Sequence, residues 1–299
     1  MTNSPAPVGL LLDVDGPIAS PITRSIAIPS IIDDLVFLTG AGVPIAFITG
    51  RSDAFIRDNV MVPLFAAGLG DALRAPGARM FGVFEKGAAW ATVGPDGLGE
   101  TQVDLSVALP DVYIEEIRRL HARDFADEMF WDATKHAMIS IEQRTDVTTE
   151  VYRPAQGRFE AAAFEAAARL GIGMGYRADA HPDSSGAVPF RIDPTIISTD
   201  IESVLLDKDT GAKRALDHFE SIGPLPALWR SVGDSRSDYK MADHVHARGL
   251  EVAHVDVRPS DGLLEKPYRV IVEGDLIHDE AGAAFLDYWV KKLGLAPAA

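Results

Sequence analysis

The feature that most constrains this chain is a set of three continuous apolar runs, each stopping abruptly at polar residues. Val8–Leu12 ends at Asp13-Val14-Asp15-Gly16, and Pro44–Ile48 ends at Thr49-Gly50-Arg51-Ser52. Leu228–Val232 ends at Gly233-Asp234-Ser235-Arg236-Ser237-Asp238. Apolar runs without alternation are the signature of strands covered on both faces, as in the middle of a parallel sheet. Helical periodicity separates them. Ile31–Leu38 reads as a helix stopped by Gly40 and Gly42, and Ser52 is positioned to cap a second helix running towards Leu64. The opening of the chain therefore spells β-α-β-α, and the expected fold class is α/β, with a doubly wound parallel sheet of Rossmann-like kind.

From Met80 the texture changes. Phe81–Thr92 reads as a strand, Gly94-Pro95-Asp96-Gly97 as a turn, and Val112–Leu120 as a helix. Ala137–Gln143 and Thr148–Tyr152 read as antiparallel strands, Phe159–Leu170 as an Ala-rich helix, and Ala178–Gly186 as a loose loop. The α/β rhythm returns near residue 200, with helices at Ala212–Phe219, Tyr239–His246 and Glu280–Leu293. Glu251–Val255 and Tyr268–Val272 are further strands. The expected organisation is a core made of residues 1–79 and 200–299, interrupted by an inserted α+β domain over 80–199.

Charge narrows the partners. The 299 residues carry 44 Asp and Glu against 28 Lys and Arg, a net −16, which argues against nucleic-acid and anionic-membrane binding because both rest on basic residues. There is no cysteine, so disulfides, thiol catalysis and cysteine-held metal sites are excluded. Residues 1–7 lack the basic start and apolar stretch of a secretory signal, and no run is long enough to span a bilayer. The expected location is cytoplasmic.

In an open parallel sheet the carboxyl ends of neighbouring strands face one crevice where ligands bind. If the three runs are adjacent, Asp13, Asp15, Asp234 and Asp238 converge there. Carboxylates within about 4–6 Å raise one another's pKa unless a cation compensates. A hard divalent cation with oxygen ligands is the natural partner, and magnesium is commonly held by one or two carboxylates together with waters and a substrate phosphate.

These segments resemble the motifs of the haloacid dehalogenase-like hydrolase superfamily. Leu11-Leu12-Asp13-Val14-Asp15-Gly16 is similar to its first motif, Ile48-Thr49-Gly50-Arg51 to its second, and Val232–Asp238 to its fourth. The third motif is a lysine before or at a helix start. Asp207-Lys208-Asp209-Thr210-Gly211-Ala212-Lys213 offers two, of which Lys208, just after the apolar run Val204-Leu205-Leu206, is preferred to Lys213. The chain departs from the family at Pro17, where a Thr is usual. The stretch between Thr49 and Lys208 is long enough for a large cap between the second and third motifs, which resembles the Cof-type and sugar-phosphatase branch.

The resemblance implies a Mg2+-dependent phosphatase acting on a small phosphorylated metabolite, most simply a sugar phosphate, through an aspartyl-phosphate. Asp13 would be the nucleophile and Asp15 the acid/base, the latter with its pKa raised by neighbouring acids. Thr49, Gly50 and Lys208 would bind phosphate. Asp13, Asp15 (through its carbonyl), Asp234 and Asp238 would form the metal site. Glu85 and Lys86 stand where relatives carry a short turn beside the active site and are candidate substrate contacts. Lys135, His136, Arg153 and Arg177 are further candidates in the cap. A phosphomutase on the same fold and a non-catalytic phosphate-sensing protein are the alternatives.

Overall fold

The computed structural model describes residues 6–295, so the first five residues of the N-terminal stretch read above lie outside the described residues. Contacts divide the chain into two units, residues 1–102 with 207–299, and residues 103–206.

The first unit is built on a sheet whose central strands are β1 (Gly9–Leu12), β2 (Ile45–Ile48), β3 (Met80–Phe84) and, from the end of the chain, β13 (Leu228–Gly233), β14 (Glu251–Asp256) and β15 (Arg269–Ile271). They are parallel and run in the order β15-β14-β13-β1-β2-β3. β4 (Ala89–Gly94) and β5 (Gly97–Leu98) extend it antiparallel, and the short β6 (Gln102–Val103) pairs with β4. Every residue of β1, β2 and β3 is buried, as continuous apolar runs require. The first helix, α1 (Pro29–Gly40), buries Ile31, Leu35 and Leu38 at helical spacing, and Gly42 beyond it takes φ +81. Ser52 caps α2 (Asp53–Ile56), its hydroxyl accepting from the Phe55 amide at 3.3 Å. A π turn leads on into α3 (Val62–Ala66), followed by α4 (Leu69–Ala72). The chain leaves β1 outward through β2 and β3, and the returning segment leaves the opposite way through β13 and β14. The switch point of the sheet therefore lies between β1 and β13, where such folds bind ligands.

The second unit has its own sheet, with β7 (Met129–Trp131), β8 (Ile139–Gln143), β9 (Met174–Tyr176), β10 (Asp179–His181), β11 (Phe190–Pro194) and β12 (Ser198–Ser203) in the order β10-β9-β11-β12-β8-β7. Helices α5 (Asp111–Asp124) and α6 (Thr149–Arg169) close a separate core in which Tyr113, Ile117, Phe159 and Ala163 meet Ile139, Ile141, Ile192 and Ile201.

Several expectations shift. The insertion begins after Gln102 and ends at Leu206, because β3 and β4 belong to the core sheet and β12 pairs with β8 and β11. The single strand expected over Phe81–Thr92 is a hairpin. Glu85, Lys86 and Gly87 all take positive φ (49, 54 and 112), which reverses the chain between β3 and β4. Thr148–Tyr152 opens α6 instead of forming a strand. The buried Tyr152, Ala155, Phe159 and Ala163 continue one helical stripe upstream, and this outweighs the β-branched local sequence. The start of the loose loop is a hairpin, β9–β10, turning at Arg177 with φ +55.

Candidate active site

Two close approaches shape the carboxyl ends of β1 and β13. Gly16, at φ +100, lets the loop after β1 fold against Asp234. Gly233 leaves room for Asp238, whose Cβ would be 2.2 Å from a substituent there. The helix α7 (Lys208–Ile222) starts beside β2. Asp207 caps it by accepting from the Lys208 amide at 2.8 Å, and Gly211 packs on Ile48.

This packing delivers the Lys208 ammonium to the centre of the site. Its nitrogen stands 2.6 Å from Asp13 Oδ1 and 2.7 Å from Asp238 Oδ1 as an ion pair with both, and it donates to the Ile48 carbonyl at 2.8 Å. Lys213, the other lysine of that segment, is exposed and pairs with Asp217. Asp238 is fully buried, and its Oδ2 accepts from the Asp234 and Ser235 amides and from the Ser235 hydroxyl at 2.7–3.1 Å. Asp13, Asp234 and Asp238 each offer one oxygen, all within 4.8 Å of one another.

The electrostatics follow from this crowding. Burial, and then the charge of Asp238, push the Asp13 carboxyl well above the usual carboxylate range, against the pull of Lys208. Burial and Asp238 push Asp234 up to about 6. Burial also works against ionised Asp238, but Lys208 and the Ser235 hydrogen bond outweigh it and hold this carboxyl low. Lys208 is held above the usual lysine range because Asp13 and Asp238 outweigh its burial. Lys208 pairs with Asp13 and Asp238 and Arg258 stands 3.9 Å from Asp234, yet Asp13 and Asp234 still resist ionisation. An all-oxygen, carboxylate-rich donor set of this kind fits a hard divalent cation.

Thr49 is fully buried at the end of β2, and its hydroxyl oxygen accepts from the Arg51 amide at 3.0 Å. The hydroxyl proton remains available to a ligand. The carboxylate of Asp15 is not part of the acid trio. Arg51 holds it in a two-pronged pair, Nε to Oδ2 at 2.9 Å and a terminal nitrogen to Oδ1 at 3.0 Å. The expected environment of neighbouring acids around Asp15 is thus corrected to a guanidinium, because the loop after β1 turns its side chain towards the end of β2. Glu85 is fully buried, its amide donating to the Arg51 carbonyl at 3.1 Å, and the Lys86 amide donates to the Thr49 carbonyl at 2.9 Å. The alkyl chain of Lys86 runs along Gly50. Arg214 of α7 fixes this turn by donating to the Gly87 carbonyl at 2.6 Å while stacking on Trp90.

Lys135, His136, Arg153 and Arg177 belong to the second unit. There Lys135 lies 4.0 Å from Asp132, Arg153 donates to the Thr195 carbonyl, and Arg177 pairs with the buried Glu160. Sequence reasoning gave no role to Arg51, or to Arg258 and His278, whose nitrogens each stand 3.9 Å from Asp234 Oδ2. Arg51 follows directly on a Thr-Gly strand end that flanks an Asp-x-Asp strand end, and that adjacency was the available signal.

No family model and no curated protein sequence matches the chain. Solved structures do. The C-terminal domain of C. albicans trehalose-6-phosphate phosphatase superposes with a TM-score of 0.62 at 12% identity, covering 95% of this chain and 92% of that one. A haloacid dehalogenase-like hydrolase from Bacteroides thetaiotaomicron gives 0.54 at 14% identity, covering 95% and 100%. Plasmodium falciparum IMP-nucleotidase gives 0.53 at 8% identity, covering 93% of this chain and 61% of that one. With these likenesses and the strand order around β1, the chain has the fold of the haloacid dehalogenase-like hydrolases.

Proposed function

We propose that this protein is a Mg2+-dependent phosphatase that hydrolyses a small phosphorylated metabolite, most simply a sugar phosphate, through an aspartyl-phosphate on Asp13. The observation that carries this reading is the buried Lys208 clamp between Asp13 and Asp238, at the switch point of the sheet, with Asp234 completing the acid trio. The fold likeness to phosphatases named for a sugar phosphate and for a nucleotide supports the reaction class.

Asp13, Asp234 and Asp238 would hold the cation, with the carbonyl of Asp15 beside them. When bound, it supplies positive charge to the transferring phosphoryl group and to the acids around it. The other roles fall to the chain's own groups. Asp13 attacks phosphorus, a role open to a carboxylate nucleophile. Lys208 neutralises charge on Asp13 and on the incoming phosphate. The Thr49 hydroxyl and the amide of Gly50 donate to phosphoryl oxygens, with Lys86 lying along Gly50 as a further positive group. Asp15 protonates the departing oxygen and then takes a proton from the attacking water. Positioning and electrostatics are most of what phosphoryl transfer asks of a protein. The second unit would select the leaving group, and the expected location is cytoplasmic.

The test is phosphate release from a panel of sugar phosphates, nucleotides and 4-nitrophenyl phosphate, with Mg2+ and with chelator. Release that requires Mg2+ and is lost in Asp13→Asn supports the reading. Accumulation of a phosphorylated isomer without free phosphate would convert it to a mutase, and no turnover of any ester would contradict it.

A further inference from the structure

Asp15 presents a problem for its proposed role. A group that hands a proton to a leaving oxygen must turn one of its own oxygens to that group, yet both oxygens of Asp15 are turned to Arg51, accepting at 2.9 and 3.0 Å. The pair is not a loose surface contact. The Arg51 guanidinium lies 4.7 Å from the ring centroid of Phe55, its side chain is only 16% exposed, and its fork meets the carboxylate with two nitrogens.

The same residue is tied to the phosphate loop. The Arg51 amide donates to the Thr49 hydroxyl oxygen, and the Arg51 carbonyl accepts from the Glu85 amide of the positive-φ turn. Arg51 thus joins the group that would bind phosphoryl oxygens to the group that would protonate the leaving group. A planar guanidinium fork fits phosphate as well as carboxylate, and a phosphate dianion carries twice the charge of Asp15.

We propose that Arg51 is a positioning residue for Asp15 whose hold is released by substrate. In the ligand-free protein Arg51 keeps the Asp15 carboxylate in the two-pronged pair. A phosphoryl group at Asp13 and Thr49 draws the guanidinium to itself, which frees Asp15 to face the leaving oxygen. The proton-transfer group is then available only when an anion is in place. This inference rests on the phosphatase reading above.

The test is NMR of the arginine side-chain Nε–H groups in the full chain with Mg2+, before and after beryllium trifluoride, an analogue of the phosphoryl group on an aspartate. Arg51 is assigned by loss of its signal in Arg51→Lys, or, if that variant does not fold, by loss of the same signal in Arg51→Gln. Without the analogue, the Arg51 signal is expected to differ between wild type and Asp15→Asn. With the analogue bound, as read independently by its fluorine signal, the Arg51 signal is expected to move and to coincide in the two proteins. An Arg51 signal that stays sensitive to Asp15→Asn when the analogue is bound would overturn the inference and leave the phosphatase reading intact. Absence of any bound fluorine signal would overturn the aspartyl-phosphate reading, and the inference with it.

Discussion

At the scale of single residues, the site crowds three acids around one buried lysine. Removing Lys208 leaves Asp13 and Asp238 buried and uncompensated, a class of change that costs about 3–5 kcal/mol. Lys208→Met should therefore melt well below the wild type in chelator. Because a ligand bound only to the folded state stabilises it, much of that loss should return in millimolar Mg2+. Thermal melts in both conditions check this, and an equal loss in both would argue against a cation at the acid trio. The pH dependence of cation binding has a definite sign. Asp234 titrates near 6 and must shed its proton to serve as a ligand, so Mg2+ affinity should fall by up to about tenfold per pH unit below 6. Calorimetric titration from pH 5 to 8 measures it, and a flat profile would contradict the assignment of Asp234. Asp13, Asp234, Asp238, Thr49 and Lys208 were legible in the sequence because each follows an apolar run that could only be a buried strand or leads a helix beside one. The Arg51–Asp15 pair was not, because it depends on which way the side chain of Asp15 turns after the strand ends.

At the scale of elements, the site depends on glycines that let helices and loops close on strands. Gly211 packs on Ile48 at a distance, 2.4 Å to the missing Cβ, that no side chain tolerates. Gly211→Ala should shift α7 away from β2 and cost about 1–3 kcal/mol, as overpacking does. Activity should fall more than stability does, because Lys208 begins that helix. Thermal melts and turnover of 4-nitrophenyl phosphate test it together. The elements themselves were mostly readable. Buried strands announced themselves through unbroken apolar runs, and α7 and the closing helix (His278–Lys292) through helical spacing. Two kinds of element were hidden. The β3–β4 hairpin turns on Glu85 and Lys86 in a left-handed conformation that neither residue prefers, so local propensity read through it as one strand and only the family resemblance marked a turn there. The first turns of α6 read as a strand because β-branched Thr and Val sit where tertiary burial of Tyr152 decides the outcome.

At the scale of the whole molecule, net charge and domain boundaries come forward. With 44 acids against 28 basic residues, the surface repels anionic substrates at long range. kcat/KM should therefore stay flat or rise slightly as salt increases, and a steep fall would show attractive steering. Acid crowding also reaches the fold away from the site. Asp34 of α1 is pushed up to about 6 by burial and by Asp287 and Asp33, against Lys291, and one of its oxygens is buried without a hydrogen bond. Its folded pKa lies above its unfolded value, so ionising it weakens the fold. That penalty is absent below about pH 4, grows as pH rises through 6 and is complete above. Asp34→Asn should therefore be more stable than the wild type at pH 7, by on the order of 1 kcal/mol or about 2–4 °C in Tm, with the gain gone at pH 4. The domain boundaries were legible only in outline, since the antiparallel continuation of the core sheet through β4 and β5 looks locally like the insertion it precedes. A covalent phosphoryl group on Asp13 can be trapped chemically. The protein is acid-quenched during turnover of 4-nitrophenyl phosphate, treated with borohydride, which reduces an acyl phosphate to an alcohol, and mapped by peptide mass. Homoserine is expected at position 13 and nowhere else. Rapid phosphate release with position 13 unmodified, or with the label on another residue, would contradict a phosphoryl group on Asp13.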